Sequence, residues 1–215
     1  MACLSSSSSV GCLTVPALIR NEQVFFGLVL PFADFPALVD AHLKAFPRTP
    51  AIEASGQHLC EAGFPEGPLE SFVKDVCSWG NYAGIAGRVL KRNSLPDIRA
   101  VLIRAVAELD GDTPRYGAAL HRVNTLNGLG EPSFASKHLR FLRPQHCPVF
   151  DSLLREGLPY SFDPEGYAQF AADCRELAHA LKQAGVNNPR NRPQGVWFAA
   201  DVEAAVYAHV TGLTD

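Results

Sequence analysis

The sequence predicts an all-α protein, and three observations carry that prediction. Apolar residues recur at spacings of three and four along most of the chain, the period of a helix with one buried face. Proline and glycine cut these runs into pieces of helical length, and helix-capping residues stand at several of the cuts. Apolar residues make up 47% of the 215 positions and charged residues 19%, enough core for a single soluble domain.

Residues 1–20 include five consecutive serines at 5–9 and read as a disordered N-terminus. They carry neither a basic start nor a long apolar core, so they do not read as a signal peptide. Residues 21–215 form the single helical domain. Its first run, 23–30, is closed by Pro31 and is too short for periodicity to choose between a strand and a buried helical turn. The fold class therefore leaves room for a short N-terminal strand or extension. Residues 35–46 read as a helix ended by Pro47 and Pro50. The stretch 48–68 holds Pro50, Gly56, Gly63, Pro65, Gly67 and Pro68, and predicts a loop.

An amphipathic helix follows over 69–79, broken at Gly80-Asn81-Tyr82, and then a short basic one over 84–92. Ser94 caps the next, with Asp97 three residues on and Ile98, Leu102, Ala105, Val106 and Leu109 as its core face. Asp110-Gly111-Asp112 turns the chain into a helix that reaches 121–126, and 134–142 reads as another. Asp163-Pro164-Glu165 starts a helix whose core face runs from Tyr167 through Phe170, Ala171, Cys174, Leu177 and Ala178 to Leu181. An Asn/Pro/Arg-rich loop over 186–194 precedes a last helix at 201–210. The total is about eight helices, with no internal repeat.

The most informative stretch is Leu126-Asn127-Gly128-Leu129-Gly130. Two glycines flanking one apolar residue suit a tight turn between helices where backbone must approach something closely, because glycine reaches positive φ and has no Cβ. The helix after such a turn opens with free N–H groups and the positive end of its dipole, a site for phosphate. Twenty-one positions beyond Gly130, Asp151 stands in Pro148-Val149-Phe150-Asp151.

These residues resemble the helix-hairpin-helix DNA glycosylases, the superfamily of 8-oxoguanine, adenine and endonuclease III-type enzymes. Their hairpin runs roughly L-P-G-V-G, with a catalytic aspartate about twenty residues on. The close likeness covers about thirty residues, with the hairpin at 121–142. The flanks, 72–142 and 167–210, are similar to small bacterial 8-oxoguanine glycosylase-like proteins. The resemblance implies a multi-helix glycosylase-like bundle that flips an oxidised or modified base out of duplex DNA, in base excision repair. It further implies Asp151-assisted cleavage of the N-glycosidic bond. Its alternative is a non-catalytic protein that keeps the hairpin as a grip on duplex phosphates. No cofactor is implied beyond, at most, a monovalent cation at the hairpin.

The implied sites divide into three groups. Asp151 would stabilise positive charge on the sugar, while Asp-Ser-Leu-Leu also reads as a plain helix N-cap. Bifunctional members of the superfamily place a Schiff-base lysine two residues after the second hairpin glycine. Here that position is Pro132, and the nearest lysine, Lys137, points about 140° away from it on an ideal helix. Lys137 is thus a candidate nucleophile whose expected role is a surface or phosphate-contacting one, and lyase activity is not expected. Gly128, Leu129 and Gly130, with His138, Arg140 and Arg143, are the candidates for DNA contact. Trp79, Tyr82, Trp197 and Tyr207 are candidates for stacking on a flipped base or wedging into the duplex, against simple core packing.

Charge agrees with a DNA partner only locally. Net charge is −3, but residues 88–143 hold 10 Lys/Arg against 5 Asp/Glu, and the remainder 9 against 17. Six cysteines contain no C-x-x-C pair, which argues against zinc and for free thiols in a reducing, cytoplasmic setting. No apolar run reaches transmembrane length. The expected partner is double-stranded DNA, met by a monomer, with no membrane association.

Overall fold

The computed structural model describes residues 22–25, 28–130 and 132–213, and the expectation for residues 1–20 lies outside them. It is α-helical, with ten α-helices among the described residues. The ambiguous first run resolves as strand: β1 (Glu22–Phe25) and β2 (Leu28–Pro31) pair antiparallel, with Gln23 opposite Leu30. No helix among the described residues is long and apolar enough to cross a membrane.

Helix α1 (Phe35–Ala45) packs along the C-terminal helix α10 (Ala199–Thr211). The stretch 48–68, expected as loop, is instead mostly helix, as α2 (Thr49–Glu61) and the start of α3 (Glu66–Trp79). Pro50 sits in the first turn of α2, where its missing N–H has no helical partner to lose. Gly56 is a packing residue rather than a breaker, since a Cβ there would lie 2.2 Å from the Phe141 carbonyl oxygen. Glycine and proline here mark a close helix crossing and a helix start.

Then come α4 (Ala83–Arg92), α5 (Leu95–Ala107) and α6 (Tyr116–Asn124). Ser94 caps α5 as expected, accepting the Asp97 N–H at 3.2 Å. Helix α7 (Ser133–Leu142) lies against α2, α3, α5 and α6, and every residue from Phe134 to Leu142 is buried. A short α8 (Ser152–Gly157) and the long α9 (Pro164–Gln183) complete the set, α9 packing against α6 and α10.

The burial of α7 corrects several sequence expectations together. A helix surrounded on all sides carries its charges inside, so the Lys, His and Arg of α7 are interior groups. His138 is 1% exposed, and its Nδ1 donates to the Phe134 carbonyl at 2.7 Å. Burial pushes the His138 pKa down to about 4 and keeps the ring neutral. Arg140 is fully buried, with Nη1 2.6 Å from Glu53 Oε1, though off the line of a hydrogen bond, and its guanidinium over the Phe141 ring at 4.6 Å. Neither side chain reaches a phosphate from there. Arg143 is likewise engaged, held by both carboxylate oxygens of Asp110 at 2.9 and 3.2 Å.

Glu53 anchors a buried charge cluster that ties α2, α7, α10 and the 188–192 segment together. Arg190 reaches it twice, at 2.8 and 2.9 Å, and Arg192 Nη1 at 2.9 Å. Asp201 receives Arg192 at 2.6 Å, Arg190 at 3.2 Å and Asn188 at 2.9 Å. Burial alone would raise the Glu53 pKa, but Arg140, Arg190 and Arg192 outweigh it and hold the carboxyl at about 2.

Candidate active site

Helices α1, α3, α7 and α10 and the 149–153 segment enclose a cleft of about 140 Å³. Lys137, Asp151, Glu203, His42, Trp79 and Tyr207 are among its walls. That volume is well under the roughly 300–1,000 Å³ of drug-sized sites and suits one small planar group. A larger groove of about 780 Å³ runs beside Glu53, Arg190 and Arg192, but those charges already satisfy one another.

The two oxygens of Asp151 make different contacts. Its Oδ1 accepts the Leu153 and Leu154 N–H groups at 3.2 and 3.3 Å, the expected N-cap of α8. Its Oδ2 faces the cleft, 3.4 Å from Lys137 Nζ. The cap fixes the carboxylate's direction.

Lys137 is 5% exposed, which corrects its expected place on the surface. Its Nζ donates to Ser133 Oγ at 2.8 Å, one turn back, and lies 5.1 Å from the centre of the Phe134 ring. Burial lowers the Lys137 pKa, and the charge and hydrogen bond of Asp151 act against that. Gly80 makes room for the lysine stem: a Cβ there would sit 3.0 Å from Lys137 Cδ and 2.9 Å from Phe134 Cε1.

The residues preceding the pair are clipped to each other. The Phe150 N–H donates to Ser136 Oγ at 2.9 Å, and Ser136 Oγ also lies 3.3 Å from the Phe150 carbonyl. Ser136 and Phe150 are fully buried, Phe150 among Tyr160, Phe162, Tyr167 and Phe170. The neighbours of this clip, Lys137 and Asp151, therefore meet at a distance fixed by the core.

Of the four aromatic candidates, Trp79 and Tyr207 line the cleft and two do not. Trp79 donates its Nε1–H to Thr49 Oγ1 at 2.9 Å, leaving its ring beside Phe46 at 5.2 Å. Trp197 is 5% exposed, donates to the Val186 carbonyl and packs edge-on against Phe35, so it is core. Tyr82 is 67% exposed and stands outside the cleft, next to Asn81, which lines it with a φ of 60°. His42, Phe46 and Glu203 went unnoticed in the sequence. The one signal for Glu203 was an acid midway along an Ala/Val-rich helix.

The turn between α6 and α7 holds both glycines at positive φ, Gly128 at 87° and Gly130 at 86°. Leu129 is 1% exposed and anchors the turn in the core, so it is not a DNA contact. Asn93 braces the turn from the end of α4, donating to the Asn127 carbonyl and accepting the Asn127 N–H, both at 3.0 Å. A Cβ on Gly128 would meet Arg88 Cβ and Arg92 Cδ at 3.3 Å. The exposed Arg88 and Arg92 thus stand beside the turn, with the exposed Lys91 on the same helix, where His138 and Arg140 were expected to face out. The Leu126 and Asn127 carbonyls each accept one hydrogen bond, from the Leu129 N–H and from Asn93, so the turn closes on α4.

The chain matches no family model, no curated protein and no solved structure. Its chemistry rests on its own residues.

Proposed function

We propose that the protein is a DNA glycosylase that excises an oxidised or otherwise modified base, with Lys137 as nucleophile and Asp151 as its partner. The observation that carries this reading is the meeting of Lys137 Nζ and Asp151 Oδ2 at 3.4 Å in a cleft with aromatic walls. Burial that lowers an amine's pKa favours its nucleophilic neutral form, and a carboxylate beside it can take its proton and balance positive charge on a sugar. The cleft's size and its Trp79 and Tyr207 rings suit a single flipped base. The double-glycine turn and the exposed Arg88, Lys91 and Arg92 support a duplex held by its phosphates, in the manner of a helix-hairpin-helix.

In this reading the neutral Lys137 amine bonds to C1′ of the sugar as the bond from C1′ to the base breaks. The base leaves with the electron pair and takes up a proton. Asp151 accepts the proton that the amine sheds and passes it to O4′ as the C1′–O4′ bond breaks; the nitrogen lone pair forms the C1′=N bond, and the ring-opened sugar remains joined to Nζ as a protonated Schiff base. In this reading a lysine five residues beyond Pro132 takes the part that the motif assigns to that position, and lyase activity is expected.

Incubation with duplexes that each carry one lesion, followed by alkali cleavage of abasic sites, tests the proposal. Cleavage at one or more modified bases, lost in Asp151→Asn, is expected. Duplex binding without excision of any lesion would favour the non-catalytic grip.

A further inference from the structure

Glu203 has no part in the reaction just described, yet it lies in the wall of the same cleft. It is 1% exposed, and its Oε2 has no hydrogen-bond partner. The Val149 backbone acts on the carboxyl group from the opposite segment of the wall, and Oε2 is the oxygen left without a partner. From α1, His42 contributes a second buried, unpartnered atom, Nδ1. A buried polar group without a partner is costly, so two of them in one cleft point to a polar ligand.

We propose that Glu203 reads the flipped base, carrying a proton on Oε2 and donating it to a carbonyl oxygen on the base edge. This rests on the base-excision reading above and adds its substrate class: bases that present an oxo group. A proton on Oε2, the oxygen without a partner, meets a carbonyl acceptor there and not an exocyclic amine. The groups around Glu203 agree with a neutral acid. Lys137 and Arg140 of α7 favour its charge, Asp151 opposes it, and Cys174 of α9 and Tyr207 on its own helix are neutral neighbours. Burial outweighs the cations and pushes the carboxyl up to about 8. Burial, with Arg140 and Arg190, holds His42 down at about 3, so its ring is a neutral second contact.

The test compares wild type, Glu203→Gln and Glu203→Leu by fluorescence anisotropy. The probes are uncleavable 2′-fluoro duplexes carrying 8-oxoguanine, hypoxanthine or uracil, and one carrying a baseless tetrahydrofuran site. Glutamine copies the protonated acid, with an amide N–H in place of the O–H, but does not titrate. At neutral pH wild type and Glu203→Gln should both prefer at least one oxo base over the baseless site, and Glu203→Leu should lose about tenfold of that preference. As pH rises past about 8 the wild-type preference should fall while that of Glu203→Gln stays level. Glu203→Gln failing as Glu203→Leu does, or titrating as wild type does, would overturn the assignment while baseless-site binding kept the DNA reading intact. Failure of all three proteins to bind any duplex, the baseless one included, would overturn the DNA reading and this inference with it.

Discussion

Replacing Asp151 with asparagine separates the cap that its carboxylate makes from the chemistry proposed for it. The cap depends on Oδ1, which accepts the Leu153 and Leu154 N–H groups, and an asparagine oxygen caps a helix about as well. Folding should therefore survive, with a melting temperature close to wild type. Asp151→Ala removes the cap too, at about 1 kcal/mol, or roughly 2–4 °C for a chain of this size. The chemical function depends on the charge that Oδ2 places 3.4 Å from Lys137 Nζ. Loss of one such preorganised electrostatic group costs roughly 10²–10³ in rate. The pH profile has a definite sign. Burial lowers the Lys137 pKa and Asp151 raises it, so removing Asp151 lowers it further. The amine attacks only when neutral, so excision climbs as pH rises through the Lys137 pKa. In Asp151→Asn that climb should move to lower pH while the plateau falls. Single-turnover excision across pH, with thermal melts of both variants, measures all of this. A wild-type plateau and an unmoved limb in Asp151→Asn, with only stability lost in Asp151→Ala, would leave Asp151 a cap and nothing more.

Three further outcomes follow from the same geometry. Gly80→Ala keeps an ordinary backbone, φ −75°, but brings its Cβ to 2.9 Å from Phe134 Cε1 and 3.0 Å from Lys137 Cδ; shifting the lysine stem by a few tenths of an ångström should slow excision measurably, and an unchanged rate would show slack around the stem. Glu53→Gln leaves Arg140, Arg190 and Arg192 short of a buried partner and should cost about 3–5 kcal/mol in a denaturant melt. Because the Glu53 pKa is depressed to about 2 on folding, its contribution is present above the unfolded value near 4.5 and is lost as pH falls from there toward 2, so the gap between wild type and Glu53→Gln should close in acid. Arg88→Gln with Arg92→Gln should weaken duplex binding at low salt and flatten its salt dependence by about one unit per phosphate contact; an unaltered slope would place the DNA elsewhere.

Much of this fold was legible in the sequence because helix periodicity and caps are local signals. Ser94, Asp151 and Asp163 each cap the helix expected of them. The misreading of 48–68 came from treating Gly56 as a breaker, when only the Phe141 backbone crossing it explains the missing Cβ. Of the residues that line the candidate cleft, Asp151, Trp79 and Tyr207 were singled out in the sequence, and Lys137 was noticed but assigned to the surface. The sequence of α7 resembles a half-exposed helix, with Lys137, His138 and Arg140 among its apolar residues. What buries them is remote: Glu53 from α2 neutralises Arg140, and Asp151 pairs with Lys137. No local pattern announces a partner that far along the chain. Glu203 escaped for the same reason, since its unpaired oxygen is a property of the cleft.

The central claim is that the Lys137 amine attacks the sugar, and borohydride trapping tests it directly. Reduction during reaction with a responsive lesion duplex should fix a covalent protein–DNA adduct that withstands denaturation. The adduct should map to Lys137 by peptide mass analysis and vanish in Lys137→Gln, while Lys91→Gln on the exposed face of α4 still traps. Excision that leaves an intact abasic site with no trapped adduct, or an adduct that persists in Lys137→Gln, would contradict the account.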